Sequence, residues 1–230
     1  MRDSYSPRTA LPQYSALLAG LALAISQYFI FVYAPMEQTM GIVQKIFYFH
    51  LPLAWWSLIS FFTVFVASAM YLKKRIWFWD NLAGAAAEVG VLLAALALVT
   101  GSIWGRHSWG VWWTWDPRLT TTLVMWFVYA GYLMLRSMGL ARERRAVVCA
   151  VLGIIAFIDV PLVFFSARLW RSIHPSVFAS RGGGLEPEMM TTALVCVACF
   201  GFLWFALTAI RTRQLADTDR LDSIATTDDL

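Results

Sequence analysis

Six long stretches of the chain carry almost no charge, and polar segments separate them. Residues 14–34, 51–72 and 189–210 contain no charged residue, and each is long enough to cross a bilayer as a helix. A membrane β-barrel would instead show alternating segments of about ten residues, so the pattern favours helices. The predicted spans are residues 12–34, 48–72, 82–103, 117–135, 146–167 and 189–210.

The polar connections predict an orientation. Twelve of the 18 Lys and Arg residues lie before the first span, in the second-to-third and fourth-to-fifth connections, and after the last span. Because cytoplasmic connections are enriched in Lys and Arg, both termini are expected in the cytoplasm. Only 14% of the residues are charged, against about a quarter in soluble domains.

These observations predict an all-α integral membrane protein with six transmembrane helices and both termini inside. Residues 1–210 are expected to form a single membrane domain. Residues 211–230 are polar and rich in Asp, and they are expected to be a disordered cytoplasmic tail.

Two acids lie inside predicted spans, where ionisable side chains are functional candidates. Glu88 follows four small residues, 84–87, and either pairs with a neighbouring subunit or stays protonated. Asp159 precedes Pro161, which is expected to kink the helix and to leave the carbonyl of Phe157 unpaired. The kink is compatible with a ligand pocket and equally with simple packing.

The cysteines allow two interpretations. Cys196 and Cys199 have the C-x-x-C spacing of some redox and metal sites, but they lie in mid-span among apolar residues. Residue 200 is Phe rather than His, so the pair is not a haem-attachment motif. We interpret the cysteines as packing residues, with a membrane redox enzyme as the rival hypothesis.

Tryptophan is concentrated in one external connection. Five of the 12 tryptophans fall within residues 104–115, between the third and fourth spans. Tryptophan favours the membrane interface, but a belt needs only one or two rings at each helix end. The density therefore favours a platform for a large flat ligand such as porphyrin. If the segment is helical, Trp109, Trp112 and Trp113 share one face.

Charged residues follow the tryptophans directly. Asp116 and Pro117 are typical of an N-cap and a first helical residue, and they predict the start of the fourth span. Four arginines could neutralise the propionates of a porphyrin: Arg106, Arg118, Arg168 and Arg171.

All three histidines are expected on the outer side. His50 begins the second span, His107 lies among the tryptophans, and His174 precedes Pro175, which favours an extended loop. A lone histidine at the interface is most often a structural hydrogen-bonding residue. Two histidines that converge beside an aromatic platform could instead bind iron from opposite faces, as bis-axial haem ligation requires. Zinc is the weaker alternative, because it needs three or four ligands.

The tryptophan segment resembles the "WWD" signature of the membrane haem-handling proteins of cytochrome c maturation. Within that group, the length, the six-span layout and the Arg-Leu-Thr run after Asp-Pro resemble the haem exporter C family. Residues 41–52, and residues 159–161 with 169–175, resemble the two histidine motifs of that family. The signature residues are Trp109, Gly110, Trp113, Trp115, Asp116, Pro117, Arg118, Leu119 and Thr120.

The resemblance implies that His50 and His174 are the axial ligands of haem b and that the tryptophan segment is the haem platform. It implies no ligand role for His107. The further residues that we predict to bind the cofactor are Trp104, Trp109, Gly110, Trp113, Trp115, Asp116, Arg118 and Arg171.

The resemblance also implies a location and a set of partners. The site is expected on the periplasmic side of the bacterial inner membrane, from which haem passes to the periplasmic chaperone CcmE. The chain has no G-x-x-x-x-G-K-[ST] loop, so ATP hydrolysis is expected in partner subunits, CcmA and CcmB, accompanied by the small subunit CcmD. The chain is then a transfer subunit rather than an enzyme. A permease or channel subunit is the other alternative, although only Glu88 and Asp159 could line a polar path.

Overall fold

The computed structural model describes residues 11–170, 172–174 and 185–228. Helices make up most of this part of the chain, and its only strand-like pairing is a bridge between Glu37 and Gly41. The all-α prediction is therefore confirmed. The helices are α1 (Leu11–Tyr28, continued by a π-helical turn Phe29–Tyr33), a 3-10 turn Ile42–Ile46, α2 (Phe47–Lys74), α3 (Trp77–Trp109), α4 (Pro117–Ser137), α5 (Arg142–Ala156), α6 (Asp159–Leu169) and α7 (Pro187–Asp228).

Five helical segments among the described residues are long and apolar enough to cross a membrane, so the chain is a multi-pass membrane protein. They are Tyr14–Tyr33, Ile42–Lys74, Trp77–Trp109, Arg142–Ser166 and Pro187–Ile224. Helix α4 has 21 residues, the length of a span, but Arg118, Arg136 and three successive threonines make it more polar. The count of six spans and the orientation with both termini inside stay predictions.

The helices pack into one bundle, and a different polar contact joins chain segments at each of its two ends. Helices α2 and α3 pack as an antiparallel pair, α7 packs against α1, α2 and α3, and α4 packs against α3, α5 and α6. At one end, Arg136 of α4 binds Asp80 of α3. At the other end, the N–H of Ile173, beyond α6, binds Asp116, before α4. We call this second end the histidine end, because His50 and His174 both lie there.

A buried ion pair joins α3 to α4 at the end opposite the histidines. Arg136 Nη1 donates to Asp80 Oδ1 at 2.8 Å, and Nη2 donates to Oδ2 and to the Asp80 carbonyl oxygen, both at 2.9 Å. The guanidinium occupies space that a glycine leaves open, since a Cβ at Gly84 would lie 2.5 Å from Arg136 Nε. The small residues 84–87 before Glu88 therefore leave room for the Arg136 side chain as well as for a neighbouring helix.

The fifth predicted span is interrupted near Pro161, as the sequence predicted, but the hydrogen bonding at the interruption differs from the prediction. Helix α5 ends at Ala156 and α6 begins at Asp159, before Pro161. The carbonyl of Phe157 accepts a hydrogen bond from the N–H of Val160 at 3.1 Å, so the prediction that it stays unpaired was wrong. A tight turn between α5 and α6 supplies this bond in place of the helical one.

Helix α7 continues to Asp228, through residues that the sequence predicted to be a disordered tail, and the structure corrects that prediction. Asp219 on this extension accepts a hydrogen bond from Arg142 Nη2 at 2.7 Å and lies 3.8 Å from Arg145 Nη2. These contacts to α5 give the polar extension a partner that composition alone does not reveal.

The acid in the third predicted span also pairs within the chain. The Glu88 carboxylate accepts hydrogen bonds from Arg211 Nε at 2.5 Å and Arg211 Nη2 at 3.1 Å. This contact within the chain links α3 to α7, a role that the sequence did not suggest for Glu88.

Replacing Gly84 with alanine is expected to lower the midpoint of thermal unfolding in detergent by several degrees. The added Cβ would press on the Arg136 guanidinium, which Asp80 holds in place, and overpacking of this kind costs about 1–3 kcal/mol. Gly131→Ala is the matched control in α4, because a Cβ there meets nothing within 4 Å. Equal midpoints for the two variants would contradict the prediction.

Candidate functional site

His50 lies in the first turn of α2 and faces α3. Its Nδ1 is 3.0 Å from the carbonyl oxygen of Ala97 and 3.2 Å from Oγ1 of Thr100. Because a carbonyl only accepts hydrogen bonds, Nδ1 carries the proton and Nε2 keeps the lone pair that a metal ion requires. The ring rests against Gly101, where a Cβ would lie 3.0 Å from His50 Cε1. Helix α3 therefore orients the ring and sets its tautomer.

His174 lies in the irregular segment that follows α6, as its position before proline predicts. One carboxylate, that of Asp116, holds this segment in place. Its Oδ2 accepts from the N–H of Ile173 at 2.8 Å, and its Oδ1 accepts from the Ser172 hydroxyl at 3.0 Å. The Ser172 oxygen in turn accepts from the N–H of His174 at 3.1 Å. We call this set of bonds the Asp116 clamp.

Asp116 is also the N-cap of α4. Its Oδ1 accepts from the N–H of Arg118 at 2.9 Å, and Pro117 is the first helical residue, so the predicted helix start is confirmed. The sequence did not reveal that the same carboxylate reaches the histidine segment. A buried carboxylate is stable here because several donors surround it.

The donors around Asp116 determine its charge state. Burial by itself raises the pKa of the Asp116 carboxyl, but the Ile173 N–H, the Ser172 hydroxyl and the N–H groups at the start of α4 lower it, and the net pKa is below its ordinary value. Since the pKa is depressed in the folded protein, the stabilisation is fully present above the unfolded pKa of about 4 and is lost as the pH falls through the folded value. The clamp is therefore charged at neutral pH.

The rings of His50 and His174 lie close together. The ring centroids of His50 and His174 are 6.3 Å apart, and the ring planes are inclined by 38°. A metal–imidazole bond of about 2.0 Å places the nitrogens of two opposite ligands about 4 Å apart and their ring centroids about 6 Å apart. The spacing of this pair therefore fits one metal ion between the two rings.

Arg118 lies beside the pair. Its Nη1 is 3.3 Å from His174 Nδ1, and its Nη2 donates to the carbonyl oxygen of Phe164 at 3.5 Å. A guanidinium has only donors, so Nδ1 of His174 is the acceptor in this contact. Arg171, another predicted partner of a propionate, lies outside the described residues.

The tryptophan segment is only partly helical. Helix α3 runs through Trp104 to Trp109 and ends at Gly110, whose φ of 76° is in the left-handed region that favours glycine. The condition under which Trp109, Trp112 and Trp113 would share one helical face is not met, because the helix ends before the last two.

The rings form two edge-to-face pairs rather than one row. Trp104 and Trp109 have centroids 5.6 Å apart, and Trp113 and Trp115 have centroids 6.0 Å apart. Trp112 and Trp115 are 61% and 77% exposed, so they present open aromatic surface. The ring N–H groups of Trp104 and Trp113 are buried and have no partner in the described part of the chain, which makes them donors that a bound group could satisfy.

A groove of about 550 Å³ lies between the 3-10 turn and the end of α3. Neither His50 nor His174 lines it, whereas the third histidine, His107, does. Its lining residues are Val43, Ile46, Ile103, Arg106, His107, Gly110 and Trp112.

The other metal and redox interpretations find no support in the described residues. Within them, no three His, Cys, Asp or Glu side chains converge as a zinc site requires. A two-histidine site suits a metal whose other ligands come from its own macrocycle, as in haem. Cys196 and Cys199 are free and buried, in agreement with the packing interpretation.

Sequence reasoning missed the residues that support the histidines. Ala97 contributes only a backbone carbonyl, which every residue has, and Thr100 lies in an uncharged run like any helical threonine. Ser172 differs from these two residues, because the sequence shows that it lies two residues before His174. The sequence does not show its hydrogen bond to Asp116.

Comparison with known proteins places this arrangement in a family. The family model for heme exporter protein C matches residues 4–225. The chain belongs to the heme exporter protein C family. It is 35% identical over 176 residues to heme exporter protein C of Bradyrhizobium diazoefficiens, which covers 76% of this chain and 67% of that protein.

Other members of the family are similar over more of the chain. Heme exporter protein C of Escherichia coli K12 is 29% identical over 87% of this chain and 81% of its own length. A putative cytochrome c biosynthesis ccmC-like mitochondrial protein of Marchantia polymorpha is 30% identical over 88% of both chains. The resemblance seen in the tryptophan and histidine motifs is therefore confirmed. Membership implies a role in the haem transport of cytochrome c biogenesis, as a transport-complex subunit rather than a catalytic enzyme.

Two substitutions at Asp116 are expected to separate its roles in this heme exporter C protein. A serine at position 116 can still cap the N-terminus of α4. Its side chain is shorter and has a single oxygen, so it cannot also accept hydrogen bonds from Ile173 and Ser172. We expect Asp116→Ser and Asp116→Ala both to bind much less haem than the wild type. Only the alanine variant should lose about 1 kcal/mol more stability, from the missing cap.

Haem absorbance per mole of protein and thermal unfolding in detergent measure the two effects. Ser137→Ala is the control, because it removes a hydroxyl bonded only within α4, at the opposite end of the bundle. An Asp116→Ser variant with wild-type haem content would show that the clamp does not hold the ligand.

Proposed function

We propose that this protein binds haem b at the outer face of the bacterial inner membrane, with His50 and His174 as the axial ligands, and delivers it to the periplasmic chaperone CcmE. The observation that carries the proposal is the pair of histidine rings 6.3 Å apart, contributed by two distant segments of the chain. A histidine with only a structural role needs one hydrogen-bond partner. Such a role does not explain a second imidazole at the distance expected for two ligands of one metal ion.

The surroundings of His50 support a ligand role. Imidazoles that bind metals usually donate their other ring N–H to a carbonyl or carboxylate, which fixes the ring and raises its basicity. The contact from His50 Nδ1 to the Ala97 carbonyl is of this kind. Because His50 is in the first helical turn of α2, its ring is held at a helix end, close to where the outer surface of the membrane is expected.

The aromatic and basic residues suit the rest of the haem molecule. Porphyrin is a large apolar ring with two carboxylates on one edge. The rings of Trp104, Trp109, Trp113 and Trp115 offer aromatic surface near the start of α4, where Arg118 can bind a propionate as a charge-assisted pair. Arg171 is proposed for the second propionate on the sequence alone.

The energy for release is proposed to come from other subunits. The chain has no phosphate-binding loop, and we propose that CcmA and CcmB supply ATP hydrolysis, with CcmD as the small membrane subunit. This chain then contributes the haem site and its presentation to CcmE.

A His50→Ala, His174→Ala double variant is expected to purify without haem, because the porphyrin platform alone offers iron no axial ligand. Each single variant should keep a reduced amount of haem, with high-spin iron in place of the low-spin spectrum of two histidines. Oxidised and reduced absorption spectra of the detergent-purified proteins are the measurement.

His107→Ala is the matched control, since it removes an exposed histidine from the same end of the protein without touching the pair. It should keep the wild-type spectrum. If the double variant still carries stoichiometric low-spin haem, the ligand assignment is wrong.

A further inference from the structure

We propose that the end of the bundle opposite the histidines binds an anionic membrane phospholipid. The phosphodiester of the lipid lies in a groove between the α2–α3 connection and the start of α5, and an acyl chain follows the exposed face of α5. The groove shares no residue with the candidate haem site, so the proposal stands independently of the proposed function.

The groove has a volume of about 410 Å³ and lies where two distant segments of the chain meet. The junction of α2 and α3 forms one side, and the first two turns of α5 form the other. The groove offers basic and apolar contacts side by side, as the two parts of a lipid require. The residues that line it include Tyr71, Arg75, Trp77, Glu143, Arg144 and Val148.

The charged residues of the groove match a phosphodiester. Arg75 and Arg144 bring two positive charges and Glu143 brings one negative charge, which leaves one net positive charge. A phosphodiester carries a single negative charge, and guanidinium groups bind phosphate oxygens through paired, charge-assisted hydrogen bonds. A phosphate monoester carries close to two negative charges at neutral pH, so it matches this lining less well.

The two arginines of the groove differ from others at this end of the bundle. Arg136 and Arg142 are bound to carboxylates of the chain. In the part of the chain that the structure describes, neither Arg75 nor Arg144 forms an ion pair. Their charges are therefore available to an anion that comes from outside the chain.

Aromatic contacts give the groove its shape and indicate its depth in the membrane. The guanidinium carbon of Arg75 lies 5.7 Å from the centroid of the Tyr71 ring, and that of Arg142 lies 3.9 Å from the Trp77 ring. The second contact joins the start of α5 to the start of α3 beside the groove. Because Tyr and Trp favour the depth of the lipid head groups, the groove is expected at a membrane surface.

An apolar stripe on α5 distinguishes a lipid from a soluble anion. Val148 lines the groove, and Val148, Val151 and Ile155 are 39%, 45% and 57% exposed. Their spacing places them on one face of the helix, and seven helical residues rise about 10 Å. The stripe therefore leads from the groove into the apolar part of the membrane. A phospholipid uses both the groove and the stripe, whereas free phosphate uses the groove alone.

Native mass spectrometry of the full-length protein in a neutral detergent tests the proposal. The wild type is expected to bind one phosphatidylglycerol more tightly than phosphatidylcholine with the same acyl chains, because the choline group cancels the charge of the phosphodiester. Inorganic phosphate at the same concentration should not displace the phosphatidylglycerol, since it lacks the acyl chains.

An Arg75→Asn, Arg144→Gln double variant is expected to bind phosphatidylglycerol about 25-fold more weakly, since each basic residue beside an anionic lipid contributes a factor of about five. Asparagine tolerates the left-handed backbone of residue 75, where φ is 53°, and glutamine is a good helix former for position 144. Lys73→Gln, Lys74→Gln is the matched control. It removes two exposed positive charges at the same end, from residues that do not line the groove, and it should keep the wild-type affinity.

Three results would overturn the proposal. Displacement by inorganic phosphate would show an anion site without a lipid, and equal weakening in the lysine variant would show a general effect of charge. A wild type without preference for phosphatidylglycerol would show that something else, such as a helix of another subunit, covers this face. The first and third results need no variant to fold, and circular dichroism shows whether the variants keep their helices.

Discussion

The hydrogen bonds of one buried carboxylate, Asp116, hold the candidate site together. The segment with His174 has no helix or strand to satisfy its backbone, and an unpaired N–H in a membrane protein costs several kcal/mol. Asp116 accepts from the Ile173 N–H and from the Ser172 hydroxyl while it caps α4. This carboxylate therefore joins the start of α4 directly to the histidine segment. Since His50 is fixed separately by α3, the spacing of the two rings depends on this carboxylate.

The opposite end of the bundle is joined by ion pairs between helices. Arg136 and Asp80 link α4 to α3, and Glu88 and Arg211 link α3 to α7. In a medium of low polarity, a charged side chain whose partner is missing strongly destabilises the protein. These ion pairs therefore determine which helices lie side by side. The described contacts at the histidine end are hydrogen bonds made by helix ends and by an irregular segment.

Uncharged runs predicted most of the helices, because length and apolar composition suffice for that in a bilayer. The histidines and the tryptophan segment were visible as well, since both depend on residue type. The support of His50 was not visible, because Ala97 acts through its carbonyl. Asp116 was recognised only as a cap, and its second role depends on a contact across 57 residues of sequence. The helical extension of α7 escaped prediction for a similar reason, since Asp219 finds its arginines on α5.

The chemistry around the two histidines suits a cargo site better than a permanent haem site. A carboxylate on the far nitrogen of an imidazole makes it a strongly basic ligand. Here the buried carboxylate of Asp116 binds backbone and hydroxyl donors of the histidine segment. His50 contacts a neutral carbonyl instead, that of Ala97. In the proposed site, the bond from His50 to iron is therefore weaker than a carboxylate partner would make it. The proposed transfer of haem to another carrier needs a ligand of this moderate strength, held in position by the scaffold rather than by the metal.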